Sequence, residues 1–401
     1  DMTPDPAASH TPPDLLAPNR RHLVLGAAAC LLAPLASRAQ TQNVTRVGSG
    51  SAIKTIAEAA AKARDGDIIE VEAGDYPGDV AIWSQDNITL RAVGGRVRLM
   101  ANGMAAEGKG IWVIRGGRMS VQGFDFSGAR VPEHNGAGIR FEKGRLTVQD
   151  CSFMHNENGL LTANDQQSEL EIIDSEFGYN GYGDGQSHNL YVGELAHLSV
   201  TGSYSHHAKV GHLLKTRAAV NQIRYNRLAD GIGGTASYEL EFAIGGVAYV
   251  VGNIIEQGSE TENPHIISYA AEGYKWPSNA LYLVNNTVVD NRPQGGIFLR
   301  VKPGGNGTVQ AINNVLVGEG KLDSAGPGDY RNNFTVDWDH FVWAARDDFR
   351  LKRTSKLLGK AIDAGSVDGQ SLMPVREYVQ PRSTRPLQGP ARNPGALQSL
   401  K

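Results

Sequence analysis

The sequence predicts an all-β chain wound as a right-handed parallel β-helix, opened by a short N-terminal capping helix. Three observations carry this expectation. A unit of about 25 residues recurs through most of the chain, each unit holds two short runs with β-type alternation, and glycine is abundant at 48 of 401 residues. Glycine supplies the positive φ angles that many tight turns need. A unit this short cannot bury its apolar side alone and must stack on its neighbours. The strand-helix alternation of a doubly wound sheet is absent, and so much glycine disfavours a helical bundle. With 40% hydrophobic but only 7% aromatic residues, the core is expected to be long and narrow.

Taken in chain order, residues 1–39 read as an export signal and not as part of the fold. Arg20 and Arg21 precede an apolar stretch over 23–36, and Ser37-Arg38-Ala39 places small residues where a signal peptidase reads. The arginine pair and the proline-rich lead are of the twin-arginine type, with His22 and Val24 departing from the usual pattern. The apolar stretch falls short of the roughly 20 residues that span a bilayer, so a periplasmic or secreted protein without a membrane span is expected.

The β-helix domain is expected over 40–365. It begins with the helix-favouring segment 56–63, followed by the strand-like 65–71 and a Gly74-Asp75-Tyr76 turn. The repeat proper is clearest where 119–126 aligns without gaps on 146–153, and it continues at 170–177, 198–205, 222–228, 249–255, 281–288 and 309–316. Asn226, Asn253, Asn286 and Asn314 recur at the following turn and suggest a vertical asparagine stack. Each unit has a second run, seen at 138–141, 159–162, 189–192, 212–215, 239–242, 265–268 and 296–299. The segments 348–351 and 363–365 look like a closing stretch, and 366–401, rich in proline and arginine, reads as an irregular tail. Of the two cysteines, Cys30 lies in the export segment. Cys151 is then alone in the mature chain and reads as a small buried hydrophobe.

The opening helix, the Gly-Asp-Ile turn at 66–68 and the Gly74-to-Tyr76 segment resemble the pectin-lyase-like superfamily of right-handed β-helices, over about residues 47–365. The resemblance implies a secreted enzyme acting on polysaccharide at the outer face of the solenoid.

If the second runs are in register, their first residues form an outward column of Gly138, Gly159, Asn189, His212, Glu239, His265 and Gly296. Polar groups in the middle with glycine at both ends mark a localised site. The next outward positions add Arg140, Tyr191, Glu241 and Phe298, while Lys215 and Arg217 close the strand that begins at His212; His188, Tyr238 and Arg300 lie nearby. A net charge of −3 without a basic field argues against nucleic acid. The cations instead suit an acidic polysaccharide.

A lyase acting on such a chain abstracts a weakly acidic proton beside a carboxylate, and the developing negative charge needs a cation next to it. Lys215 and Arg217 fit that part, His212, Tyr191 or Lys215 the base, and Asn189 and Glu239 orienting partners. His188, Glu241, His265, Arg140, Arg300 and Tyr238 would bind substrate. Chondroitinase B and the alginate lyases are similar in placing lysine and arginine on this face with asparagine and glutamate nearby, but their local motifs differ.

Three alternatives stay open on the sequence. Glu239 and Glu241 could act as the carboxyl pair of an inverting glycosidase, C5 epimerisation would share the abstraction step, and a non-catalytic carbohydrate-binding solenoid would use the same face. No cofactor or metal is expected. His206, His207 and His212 lack a completing ligand set, and calcium through Asp184, Glu194 or Glu239 has no loop motif behind it. The oligomeric state leaves no trace in the sequence.

Overall fold

Alternating apolar residues and frequent turns wind the chain into a parallel β-solenoid of about ten turns. The computed structural model describes residues 42–400 except 306 and 323–327, so the export segment expected at 1–39 lies outside the described residues. Among the described residues, no helix is long and apolar enough to cross a membrane.

Three parallel ladders run along the solenoid. The first includes Val44–Val47, Glu169–Ile173, His197–Thr201, Val220–Arg224 and Val247–Val251. The second includes Ser152–Met154, Glu176–Gly178, Tyr204–His206 and Arg227–Ala229. The third runs through Asn158–Thr162, Leu190–Val192, Leu214–Thr216, Leu240–Phe242, His265–Tyr269 and Ile297–Val301. Because each rung lies over the next in register, like residues stack. Phe126, Phe153 and Phe177 lie face to face, their centroids 5.0 and 4.8 Å apart. Cys151 is fully buried beside them in sequence, and burial pushes its thiol up to about 12, which leaves it unreactive at neutral pH.

A helix, α1 (Ile56–Lys62), precedes the first full coil. Thr55 accepts from the Glu58 N–H at 3.1 Å, and the Asp79 carboxylate accepts from the Ile56 and Ala57 N–H groups at 2.6 and 2.9 Å. Its Ile56, Ala59 and Ala60 are buried in the solenoid core.

The turn between the first two ladders is braced by a column of polar side chains. The backbone N–H of Cys151 donates to Ser175 Oγ, that of Ser175 to Ser203 Oγ, and that of Ser203 to Asn226 Oδ1. Asn226, Asn253, Asn286, Asn314 and Asn333 continue it, and the side-chain oxygen of each of the last four accepts from both the backbone and the side-chain N–H of the asparagine one rung earlier at 2.9–3.1 Å. Asn253→Ala would leave the Asn226 backbone N–H, one hydrogen of its side-chain amide and the Ile223 carbonyl without these partners in the interior. A loss of ~2–4 kcal/mol in unfolding free energy is expected by chemical denaturation; a change under ~0.5 kcal/mol would mean that water replaces the column at no cost.

The tail is more ordered than its composition suggests. Arg376–Val379 pairs antiparallel with Ser383–Pro386, and Ser366–Val367 with Gln370–Ser371. It also docks on the solenoid: Arg382 donates to the Cys151 carbonyl at 3.0 Å, the Val375 N–H to Tyr225 Oη at 3.0 Å, and the Ala396 N–H to Thr287 Oγ1 at 3.0 Å. Side-chain and backbone groups 109 to 231 residues apart thus satisfy one another, a pairing that composition cannot reveal.

Candidate active site

Leu190, Leu214 and Leu240 fill the core under the third ladder, so strand alternation turns Tyr191, Lys215 and Glu241 to its outer side. The rungs place Tyr191 opposite Lys215, Lys215 opposite Glu241 and Glu241 opposite Ser268. Arg217 sits just past its strand. Its N–H donates to the Val192 carbonyl and its own carbonyl accepts from Trp276 Nε1, both at 2.9 Å. Thr216 Oγ1 accepts from the Ala218 N–H at 3.1 Å and tightens the turn behind it.

These side chains form one network. Lys215 Nζ lies 3.3 Å from Glu241 Oε1 and 3.3 Å from Glu272 Oε1. Arg217 holds Glu272 through Nε and Nη2 at 3.0–3.1 Å and donates through Nη1 to the Tyr191 hydroxyl at 3.2 Å. The Tyr191 ring lies under both cations, 5.6 Å from Lys215 Nζ and 5.5 Å from Arg217 Cζ. His212 Nε2 is 3.4 Å from Glu241 Oε1. The Glu241 contacts are ion-pair approaches without hydrogen-bond alignment.

Burial sets the charge states. It would raise Glu241, but His212 and Lys215 outweigh it and hold the carboxylate below its usual range. Glu272 behaves likewise: Lys215 and Arg217 overcome its partial burial and keep it ionised. Burial lowers His212 despite the nearby Glu241. Burial first, with the positive charges of Lys215 and Arg217 adding to it, carries His188 well below the ordinary imidazole value. Both rings are therefore neutral at pH 7. His188 Nδ1 accepts from the His212 backbone N–H at 2.8 Å, which leaves the His188 proton on Nε2. His212 Nδ1 accepts a longer bond, 3.4 Å, from the Tyr238 N–H, so its proton faces Glu241.

The column expected from sequence is replaced by another, because the register slips by one at the corner before these strands. With Tyr191 opposite Lys215, Asn189 faces Leu213; with Leu214 opposite Leu240, His212 faces Tyr238 and Glu239 faces Leu213. The rings that meet in a row are His188 and His212, tilted at 4.3 Å, His212 and Tyr238, edge to face at 4.9 Å, and beyond them Tyr238 and His265, tilted at 6.2 Å.

Asn189 points into the corner instead of outward. Its amide donates to Ser205 Oγ at 3.0 Å and to the His206 carbonyl at 2.7 Å, and its oxygen accepts from Asn180 Nδ2 at 2.9 Å. Glu239 also turns inward, is 0% exposed, and neither carboxylate oxygen has a hydrogen-bond partner. The Glu239–Glu241 pair required by a hydrolase is thereby split, one carboxyl on each side of the sheet.

Tyr191, Lys215, Arg217, Glu241, His188, His212 and Tyr238 are brought together, whereas Arg140 and Arg300 are not. Each is three rungs from Lys215 in the outward column Arg140, Leu161, Tyr191, Lys215, Glu241, Ser268, Arg300, or ~14 Å away. His265 sits at the margin, its Nδ1 3.0 Å from Asn263 Oδ1. His206 and His207 belong to another corner, joined Nδ1 to Nδ1 at 2.7 Å. Among the described residues, no group of three or more His, Cys, Asp or Glu is placed to hold a metal ion. Of the carboxylates considered for calcium, Asp184 is in an exposed turn and Glu239 is inside the solenoid, so they do not converge. Glu272, absent from the sequence-derived set, completes the network. Its only signal was its place in the long insert after residue 256, opposite a strand ending in two cations.

No protein-family model matches the sequence, and no curated protein matches it. Among solved structures, the chain is similar to pectate lyase Pel9A at a TM-score of 0.57 and 13% identity, covering 89% of this chain and 97% of that one. A pectin methylesterase point mutant in complex with a hexasaccharide aligns at a TM-score of 0.37 and 12% identity, over 74% of this chain and 90% of that one. The likeness to the pectate lyase establishes the fold, a right-handed parallel β-helix.

Proposed function

We propose that the chain is a polysaccharide lyase that cleaves an acidic, uronate-containing polysaccharide by β-elimination on the outer face of the third ladder. The observation that carries this reading is the Tyr191 hydroxyl held by Arg217 at 3.2 Å, with Lys215 beside the same ring. In the reaction, Arg217 and Lys215 take the uronate carboxylate and neutralise the charge that grows on it as the adjacent C5 proton leaves. Tyr191 is the base. His212 is poorly placed for that task, because its proton-accepting Nδ1 is turned to the Tyr238 N–H and its Nε2 faces Glu241. The electron pair of the C–H bond forms the C4–C5 double bond and expels the C4 glycosidic oxygen, which leaves as a hydroxyl by taking up the proton that Tyr191 has accepted. Glu241 fixes the Lys215 ammonium, Tyr238 borders the sugar, and the buried His188 backs His212. The fold shared with a pectate lyase supports a polysaccharide substrate.

The test incubates the chain beginning at residue 40 with polygalacturonate, alginate and dermatan sulfate and follows the ultraviolet band of the unsaturated uronate. Growth of that band with any of them is the expected result. New reducing ends without the band, inversion at C5 without cleavage, or binding without any product would each replace elimination by hydrolysis, epimerisation or a binding role.

The same reading takes residues 1–39 as the signal that exports the enzyme to its polymer and α1 as the cap of the first coil. Residues 366–401 are then an appendage to the domain over 40–365.

A further inference from the structure

Glu272 presents to Lys215 and Arg217 the same group that a uronate would. Its two oxygens accept from Arg217 Nε and Nη2 at 3.0–3.1 Å, the two-pronged geometry of guanidinium with a carboxylate, and Oε1 also lies 3.3 Å from Lys215 Nζ. Exposure grades outward across the cluster: the side chains of Lys215 and Arg217 are 12% and 21% exposed, that of Glu272 38%. The cations therefore form a floor and the carboxylate lies at the mouth above them.

The backbone that carries Glu272 is pinned. Its N–H donates to the Ala243 carbonyl and the Lys275 N–H to the Ile244 carbonyl, at 2.9 and 3.1 Å. Trp276 Nε1 is bonded to the Arg217 carbonyl, and the Tyr274 hydroxyl to the Lys302 carbonyl at 2.7 Å. The loop holds its place, so displacing the carboxylate requires only that the partly exposed Glu272 side chain rotate about its own χ angles.

We infer that Lys215, Arg217 and Tyr191 form a carboxylate-binding subsite, and that Glu272 is its built-in occupant, a specificity gate displaced only by a ligand carrying a carboxylate. This inference rests on the lyase reading for its biological sense but not for its test. A neutral sugar has nothing to exchange for the ion pairs that Glu272 makes, whereas a uronate restores them when Glu272 rotates into water. The gate therefore raises the KM for acidic chains and excludes neutral ones, because opening it without a replacement anion would strand two poorly solvated cations.

Glucuronate is the probe, with glucose as the neutral control, and binding is read from the shift in thermal midpoint. Glu272→Gln keeps the side-chain shape and removes its charge, and is expected to bind glucuronate roughly tenfold more tightly than the wild type, equivalent to ~1.4 kcal/mol. Glu272→Asp, which restores the charge, should return affinity toward the wild-type value. Adding Arg217→Gln to Glu272→Gln should abolish the gain, and glucose should shift none of the variants. Equal glucuronate affinity in wild type and Glu272→Gln, weaker affinity in the variant, equal response to glucose, or no response in any variant would each overturn the proposal. The unsaturated-product assay separates the two ideas. Tight uronate binding by Glu272→Gln without product leaves the gate standing and removes the lyase, while product formation with no effect of Glu272→Gln on KM does the reverse.

Discussion

Lys215→Ala is expected to lower turnover on the uronate polymer cleaved by the wild type about a thousandfold or more, with a much smaller change in KM. The asymmetry follows from where the charge matters. The ground-state carboxylate carries one negative charge, which Arg217 can hold alone, but abstraction of the neighbouring proton pushes a second into the same group. Only interactions that strengthen in the transition state raise kcat. The Lys215 side chain is 12% exposed, so its field is weakly screened by water at that moment. The variant also leaves Glu241, whose side chain is 4% exposed, without one of its two cationic or imidazole neighbours. Lys215→Arg is the control, since it keeps the charge while altering its reach; it should fold normally and retain part of the activity. A Lys215→Ala protein that melts like the wild type and still turns over within tenfold of it would remove Lys215 from the reaction.

The buried carboxyls should cost the fold stability as pH rises from about 5 to about 8, against the rise that the depressed imidazoles of His188 and His212 contribute below 6.5, and Glu239→Gln should remove a large share of that cost. Burial raises Glu239 well above its ordinary value, with the negative charges of Asp230, Asp290 and Glu256 adding to the effect. Burial also brings Asp230 to about 6 and Glu256 to about 7. A carboxyl whose value is higher folded than unfolded binds more protons in the folded state between the two values, so stability declines over that interval. The penalty is absent below the unfolded value, near 4.5 for Glu239, and complete above the folded one.

The amide of Glu239→Gln never ionises and brings N–H donors to surroundings that are acidic, with Asp230, Asp290 and Glu256 acting on the site. At pH 8 a gain of ~2 kcal/mol or more over the wild type is expected from denaturant unfolding, the scale of an unpaired buried polar group. At pH 5 the two proteins should differ little. Asp230 and Glu256 remain, so a shallower slope persists in the variant. Parallel pH profiles for the two proteins would show that Glu239 keeps a paired, ordinary carboxylate.

The reading of the face depended on one residue of register. His212 and Asn189 look equivalent in sequence because each opens a run of alternating character. Yet Tyr191 pairs with Lys215, 24 residues on, while Asn189 and His212 are only 23 apart. The corner before the strand absorbs the difference. In a two-residue period, one residue separates a side chain that meets solvent from one that enters the corner. Tyr191, Lys215 and Glu241 kept their outward positions because they lie inside the strands, where alternation governs. Asn189 and Glu239 lost theirs because they lie at the bend, where it does not.

By itself, the sequence determined the solenoid, its coil-by-coil stacking and the asparagine column at Asn226, Asn253, Asn286 and Asn314, since these follow from a repeat and from local alternation. It also marked the strand that carries Lys215 and Arg217. Only the tertiary structure decided that Glu239 is an unpaired interior carboxyl, that His188 and Tyr238 flank His212, and that Glu272 closes over the two cations. The Glu272 ion pairs join residues 55 and 57 apart, and the corner geometry depends on how each turn spends its residues. Neither is a local property of the chain. Both arise when rungs settle at their hydrogen-bonding distance and the buried side chains must share one core.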